Sequence, residues 1–349
     1  MLNLERTRLE KIIIHKIGNK GMEEGFNLSN HLIDTENNEE LSGTLLNYFL
    51  KPFKDLPSYH FSHPADLELN DVYKIISGIF KSDINLVDGS RDLAKMLYEI
   101  SVHPRIKSGE FYVVYFSDCI WNEEFTDAIG LFKSENRDRF LQIDHGAGDV
   151  DVQVQEGINT SRLDKGCLIL DREREKGYVV FNVDNINKSN EAQYWKDDFL
   201  KLKPAQDNFH HTSNFLSVAK EFITKKLTDD FEVSRTEQIN LLNKSVDYFK
   251  GNENFHARDF EEDVFQDPGM IQSFRKFGSS YLDSNDIYIA ESFEISSKAV
   301  KQQARIFRNV VKLDKNFHIY IHGRADLIEK GYDASRGKNY YKIYFEEES

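Results

Sequence analysis

The chain has 349 residues, a formal net charge of −14 and 40% hydrophobic residues. This length exceeds what one hydrophobic core usually serves, so we expect two domains, or one domain with a substantial appendage. The composition supports a folded core, and no run approaches the roughly 18 apolar residues of a membrane helix. The first ten residues lack the apolar centre of a secretory signal, so we expect a cytoplasmic protein with no membrane partner.

The first hundred residues predict two strands followed mainly by helices. Lys11–Ile17 is rich in β-branched residues and ends at a glycine-containing turn, which predicts a strand. Phe26–Asp34 is interpreted as a second strand, and Leu56–Pro64 as a loop. Apolar residues at helical spacing predict helices at Asn37–Phe53, Asn70–Phe80 and Leu86–Ser101.

The following residues show the two-residue period of β-strands. Gly109–Ile120 and Asp127–Lys133 are apolar along their centres, as expected for buried strands, and Arg139–Ile143 is a further strand. Asp149–Gln155 alternates apolar and polar residues, which predicts a half-exposed strand. A hairpin with a charged tip is predicted from Gly166 to Val183. The predicted fold class is α+β, with a mixed, largely antiparallel sheet and flanking helices in the N-terminal domain.

From residue 191 onward the apolar spacing is mainly helical. Helices are predicted at Thr212–Leu227, Ser234–Phe249, His256–Phe265 and Met270–Leu282. Ser234 and Glu237 have the spacing of a capping box, and Ile287–Phe293 is predicted as a strand. We therefore divide the chain into an α+β domain at 1–190, a mainly helical segment at 191–295, and a basic helix with a β-hairpin at 296–349.

The charge is unevenly divided along the chain. Residues 1–200 carry 23 basic and 35 acidic side chains, and residues 201–349 carry 22 and 24. Between Lys298 and Lys342, however, 11 basic residues stand against four acidic ones. An acidic first part is repelled by nucleic acid and suits a protein partner. The local basic stretch has the charge needed to lie along a phosphate backbone.

The basic stretch predicts a helix over Ser296–Lys312 with an apolar and a basic face, followed by strands at Phe317–His322 and Tyr340–Phe345. A solvated helix face would have the same composition. Aromatic residues among the lysines could stack bases, but we expect alternate rings to pack the hairpin onto the helix. The residues predicted to contact DNA are Lys298, Lys301, Arg305, Arg308, Lys312, Arg324, Arg336 and Lys338.

One short string has residue types that suit catalysis. Asp144, His145, Asp149 and Asp151 surround two glycines, and such carboxylates and imidazoles can bind a divalent metal or act as acid and base. A polar turn between two strands explains the same residues. Neither a dinucleotide-binding motif nor a P-loop is present in the sequence.

The order of several apolar landmarks resembles the bacterial nucleoid-associated protein family of the NdpA (YejK) type. The resemblance spans nearly the whole chain and depends on the order of soft motifs. The landmarks are Ile12–Ile17, Tyr112–Tyr115, Ala128–Phe132, Leu141–Asp144, Tyr178–Phe181, the helix around Asn214–Phe222, Val311–Asp314, Ile319, Ile321 and Tyr341–Phe345.

The resemblance implies a protein of the nucleoid that contacts DNA, or contacts proteins that act on DNA such as type II topoisomerases. It implies no catalytic residue, and we predict no cofactor and no metal. The leading hypothesis is a non-enzymatic protein that binds double-stranded DNA without strong sequence preference. The second is an interaction module that regulates DNA-acting enzymes through the acidic half. The third is a metal-dependent enzyme at Asp144–Asp151. A homodimer is compatible with each of them.

Overall fold

The computed structural model describes residues 2–35, 37–54, 56–145, 150–186, 194–285, 287–304, 309–313, 317–321 and 327–347. The chain divides into two compact units, Met1–Ala205 and Gln206–Ser349. The finer division into three segments stays a prediction. The α+β fold class is confirmed, because the first unit contains a large antiparallel sheet and the second is mainly helical with β-hairpins at its end.

The first unit combines a sheet with helices. Its strands are β1 (Leu2–Asn3), β2 (Arg8–Ile17), β3 (Phe26–Asn27), β4 (Ser58–Phe61), β5 (Gly109–Trp121), β6 (Glu124–Ser134), β7 (Asp138–His145), β8 (Val150–Gly157), β9 (Lys165–Leu170), β10 (Val179–Asp184) and β11 (Leu202–Pro204). Its helices are α1 (Glu39–Leu50), α2 (Asp71–Phe80) and α3 (Leu86–Ile100), with a π-helical segment at Tyr194–Leu200 and short 3-10 turns at Lys20–Met22, Lys51–Phe53, Leu67–Leu69 and Arg174–Lys176.

The main sheet is antiparallel, with the strand order β11-β4-β10-β9-β6-β5-β2-β3, and β1 also pairs with β5. β7 and β8 pair only with each other among the described strands. The predicted strand at Phe26–Asp34 is wrong beyond Asn27. The predicted loop at Leu56–Pro64 is also wrong, because Ser58–Phe61 forms β4. This four-residue run is too short to show the two-residue period of a strand. The hydrogen-bonding groups of its backbone pair with β10 and β11.

The central strands are buried on both faces. In β5, Phe111 and Val113 point into a core with α2, α3 and Trp195, whereas Tyr112 and Val114 point into a second core with α1. An antiparallel sheet commonly leaves one face in water, and its strands then alternate apolar and polar residues. Helices cover both faces here, which explains why these strands are apolar without interruption.

The second unit is a helical bundle with short hairpins. Its helices are α4 (Asn208–Glu221), α5 (Leu227–Asp230), α6 (Arg235–Gly251), α7 (Ala257–Val264), α8 (Pro268–Asn285) and α9 (Ser297–Ala304), and a π-helical segment at Phe222–Lys226 joins α4 to α5. Its strands are β12 (Asn254–His256), β13 (Ser292–Glu294), β14 (Asn309–Leu313), β15 (Phe317–Ile321), β16 (Ile328–Asp333) and β17 (Lys338–Ile343).

Phenylalanine rings fill the core of the second unit. Phe215 contacts the rings of Phe255 and Phe260, with centroids 4.3 and 4.8 Å apart. Offset and edge-to-face ring pairs at such distances add to the burial of apolar surface. The predicted capping box at the start of α6 is confirmed, since Ser234 and Glu237 each accept from the other's backbone N–H. The strand predicted at Ile287–Phe293 is found only at Ser292–Glu294.

His15 of β2 is buried and has a fixed tautomer. The Ser29 backbone N–H donates to His15 Nδ1 over 3.1 Å, so the ring proton lies on Nε2 and faces Ser90 Oγ at 2.9 Å. Ser90 Oγ in turn donates to the Val87 carbonyl over 2.7 Å. A second ring proton, on Nδ1, would point at the Ser29 backbone N–H, which is itself a donor, so the neutral ring is favoured. Burial, with the nearby Arg91 charge, lowers the pKa of His15 to about 4.

This histidine predicts a pH-dependent stability. Between pH 6.5 and about 4 the unfolded chain takes up a proton on His15 that the folded chain does not. The free energy of unfolding is therefore expected to fall by about 3 kcal/mol as the pH drops through this window, and to level off below it. Urea unfolding at closely spaced pH values measures the slope. His15→Gln should flatten it, whereas the same change at the exposed His31 should not.

Two lysines are completely buried beside β6 and β9. Lys133 Nζ donates to the Lys107 carbonyl, to Glu135 Oε1 at 3.0 Å and to the hydroxyl of Tyr194. Lys165 Nζ lies 2.7 Å from Asp184 Oδ2, and both amines face the Tyr194 ring. Burial lowers the pKa of Lys133, and the Glu135 carboxylate opposes that shift.

Removing one partner of this pair should cost more than removing both. Lys133→Met leaves the Glu135 carboxylate buried without its amine, and we expect a loss of about 3–5 kcal/mol in the free energy of unfolding. The double variant Lys133→Met, Glu135→Leu removes both members of this ion pair and should recover part of that loss. Urea unfolding of both variants provides the comparison. A double variant that is no more stable than the single one would contradict the expectation.

Candidate nucleic-acid interface

The helix α9 is shorter than predicted. Its start is as expected, since the Ala299 N–H donates to Ser296 Oγ at 3.4 Å, and Val300 packs into the phenylalanine core. The helix is described over Ser297–Ala304, however, and Asn309–Leu313 form β14 rather than a last helical turn. The Val310-Val311 pair explains the difference, because β-branched residues favour a strand when a partner strand is present.

The predicted basic stripe is therefore not one continuous helix face. Lys301 is exposed and Lys298 is half-exposed on α9. The backbone of Lys312 lies in β14, and its side chain lies outside what the structure describes. Arg305, Arg308 and Arg324 also lie outside the described residues, so their predicted contacts stay predictions.

The end of the chain forms two hairpins instead of one. β15 pairs with β14, and β17 pairs with β16, each in antiparallel register. The predicted C-terminal β-hairpin is confirmed, but the two predicted strands lie in different hairpins, each paired with its neighbour in sequence. Ile328 and Tyr341 pack with Leu313 and Ile319 around the buried Ile239 of α6. This small cluster anchors the inner face of the β16–β17 hairpin at Ile328 and Tyr341.

Arg336 and Lys338 lie at the turn of the β16–β17 hairpin. Asp333 Oδ1 accepts hydrogen bonds from the backbone N–H groups of Ser335 and Arg336, which closes the turn. Gly337 follows with a φ of 62°, a left-handed conformation that glycine adopts without strain. The Arg336 guanidinium lies 3.7 Å from the Asp333 carboxylate, and both basic side chains are exposed.

The outer face of the same hairpin carries alternating lysines and tyrosines. The predicted DNA-contacting residues include only one of them, Lys338. We call this surface the Lys-Tyr face, and its residues are Lys338, Tyr340, Lys342 and Tyr344. Because side chains of a strand alternate between faces, residues two apart point the same way. All four side chains are exposed. The spacing is visible in the sequence, and a period-two count of lysine and tyrosine would have found it.

Gly331 holds the Tyr340 ring flat against the hairpin. The two residues are paired across the strands, and a Cβ placed on Gly331 would lie only 2.3 Å from Tyr340 Cζ. The ring therefore occupies the space that a side chain would fill. Its other side remains accessible, with 48% of the residue exposed. Exposed rings between lysines are a surface on which bases stack.

Tyr344 is held at the other end of the Lys-Tyr face. Its hydroxyl donates to Glu329 Oε2 at 2.9 Å, and the Lys342 amine lies 4.6 Å from the centre of its ring. A side-chain hydrogen bond with Tyr344 raises the pKa of Lys342, so this amine remains charged at neutral pH. Tyr341 does pack inward, but against Ile239 of α6 and not, as predicted, against the basic helix, whereas Tyr340 and Tyr344 lie on the opposite face.

The residues considered for a metal site lie on the β7–β8 hairpin. Asp144 is paired with Asp151 across the strands, and both are exposed. Gln153 Nε2 donates to Asp151 over 2.8 Å. Asp149 lies outside the described residues. Within the described part of the chain, no three His, Cys, Asp or Glu side chains are grouped as metal ligands.

Taken together, these features define an α+β protein of two compact units with an exposed lysine- and tyrosine-bearing hairpin near its C-terminus. No helix within the described residues combines the length and apolar character that crossing a membrane requires. The chain matches the family described as nucleoid-associated protein YejK over residues 13–337, and it belongs to that family. No curated protein matches the chain significantly.

The close contact between Tyr340 and Gly331 has a spectroscopic consequence. Protons that lie against an aromatic ring resonate upfield, so we expect the Gly331 Hα signals to be shifted upfield in the NMR spectrum. Tyr340→Leu should return them to the usual glycine range. Tyr332→Leu, which removes another exposed tyrosine of the hairpin, should leave them in place. Normal Gly331 shifts in the unaltered protein would contradict the stacked geometry.

Proposed function

We propose that the chain is a non-enzymatic nucleoid-associated protein that binds double-stranded DNA through its C-terminal basic element without strong sequence preference. Membership of the nucleoid-associated family supports this cellular role and, with it, the proposed location on the bacterial nucleoid in the cytoplasm. The observation that carries the DNA contact is the Lys-Tyr face, where two exposed lysines stand on one side of a hairpin that is anchored from its other side by Ile328 and Tyr341.

The contacts would be made to phosphates. Lysine amines bind phosphate oxygens as point charges and do not distinguish one base pair from another. The proposed set consists of Lys338, Lys342 and Arg336 on the hairpin, together with Lys298, Lys301, Arg305, Arg308, Lys312 and Arg324. Glu329 and Asp333 share the hairpin face, but Tyr344 donates to the first, and the turn backbone donates to the second. These two carboxylates balance Lys338 and Lys342 in formal charge, so Arg336 at the turn supplies the remaining positive charge.

The salt dependence of binding tests the electrostatic mechanism. If about five phosphates are neutralised, a plot of log affinity against log salt concentration should have a slope of about −4 to −5. Fluorescence anisotropy with duplexes of unrelated sequence, across a salt series, gives this slope and compares the sequences. A slope near zero would exclude the proposed contact, and strong discrimination between duplexes would exclude its lack of sequence preference.

The location of the contact requires charge-reversal variants. Lys338→Glu, Lys342→Glu should weaken binding and reduce the magnitude of the salt slope by about 2, since each lost phosphate contact removes about 0.9. Lys301→Glu, Arg305→Glu, Arg308→Glu tests the helical part in the same way. Lys74→Glu, Lys95→Glu changes the net charge as much as the hairpin variant, at exposed residues of α2 and α3, and should retain the slope. Equal losses in the hairpin variant and this control would refute the location.

A further inference from the structure

The β7–β8 hairpin has one apolar face that the described structure leaves uncovered. Strand pairing places Leu141 opposite Val154, Ile143 opposite Val152, and His145 opposite Val150. These residues alternate onto the same face of the hairpin. The five aliphatic residues each expose between 52% and 66% of their surface. We call this surface the aliphatic face.

The opposite face of the hairpin is polar, so the segregation is not accidental. Gln142 lies opposite Gln153, and Asp144 lies opposite Asp151. Phe140, near the base of the hairpin, is the large apolar residue on this side. The sequence therefore places aliphatic residues on one face over most of the length of both strands. A two-stranded hairpin is marginally stable by itself, and an aliphatic face of this kind needs a second layer.

The charges on the hairpin limit which class of molecule can cover the aliphatic face. Three of the four carboxylates on the two strands, Asp138, Asp144 and Asp151, lie on the polar face. On the aliphatic face the one carboxylate of the two strands is Glu156, whose Oε1 lies 2.8 Å from Arg139 Nε. Because this ion pair is neutral overall, the aliphatic face offers no surplus of positive charge to nucleic acid or anionic lipid headgroups. The aliphatic residues themselves have no charged neighbour on the centre of the face. A second apolar protein surface is the partner that fits.

We propose that the aliphatic face packs against the same face of a second copy of this chain. A two-fold interface requires a patch that is complementary to itself, and a uniform aliphatic strip meets that condition. Five side chains that are each more than half exposed present about 500 Å² per copy. Two such faces bury on the order of 1,000 Å² in total, the lower limit for a specific association. The dimer is therefore expected to form at micromolar concentration.

Sedimentation equilibrium of the full chain over about 1 to 100 μM measures the dimer. Ile143→Gln, Val152→Gln places two polar side chains at the centre of each face, four per dimer, and should raise the dissociation constant at least about 100-fold. Gln142→Ala, Gln153→Ala alters the matched cross-strand pair on the polar face and should leave the constant unchanged. A wild-type chain that stays monomeric throughout the range would overturn the proposal.

A cysteine variant keeps the test valid if the glutamine variant is poorly folded. Both native cysteines, Cys119 and Cys167, are buried. Val152→Cys places a thiol at the centre of the aliphatic face and should give a covalent dimer on mild oxidation. Gln153→Cys places the neighbouring thiol on the polar face and should remain largely monomeric. Equal cross-linking of the two variants, or none for Val152→Cys, would exclude face-to-face packing.

Discussion

The burial of the central strands on both faces is the constraint on which the first unit depends. Phe111 and Val113 of β5 require one apolar cover, and Tyr112 and Val114 require another. α2 and α3 supply the first cover, and α1 supplies the second. Each core contains many fully buried side chains, and burying one contributes about 1.5–3 kcal/mol. Neither helical layer can be lost without exposing half of the sheet.

Several charged groups that enter this apolar interior are paired there, although the buried Trp195 Nε1 has no hydrogen-bond partner in the described structure. Lys133, Glu135 and Tyr194 share hydrogen bonds at distances between 2.5 and 3.1 Å. Asp164 accepts from two backbone N–H groups at the end of β6. A buried charge is tolerated only when its partner is buried beside it, which makes the two members of such a pair interdependent. His15 shows the alternative solution, in which the group remains neutral.

The two exposed hairpins differ in the chemistry that they offer. The Lys-Tyr face presents amines and rings on a ribbon whose inner side is anchored to Ile239. The aliphatic face of β7–β8 presents branched side chains beside carboxylates. The first suits phosphates and bases, and the second suits another apolar protein surface. If both proposals hold, a dimer carries two DNA-binding elements, and binding of the first raises the effective concentration of the second.

The sequence by itself determined the elements whose pattern is local. The apolar strands, the amphipathic helices and the capping box at Ser234 follow from residue spacing, and the family resemblance followed from the order of such elements. Tertiary structure decided the features that depend on distant partners. β4 exists because β10 and β11 satisfy its backbone, and β14 ends the predicted basic helix because β15 pairs with it. Strand pairing is non-local, so four or five residues of sequence cannot show whether a partner strand is present.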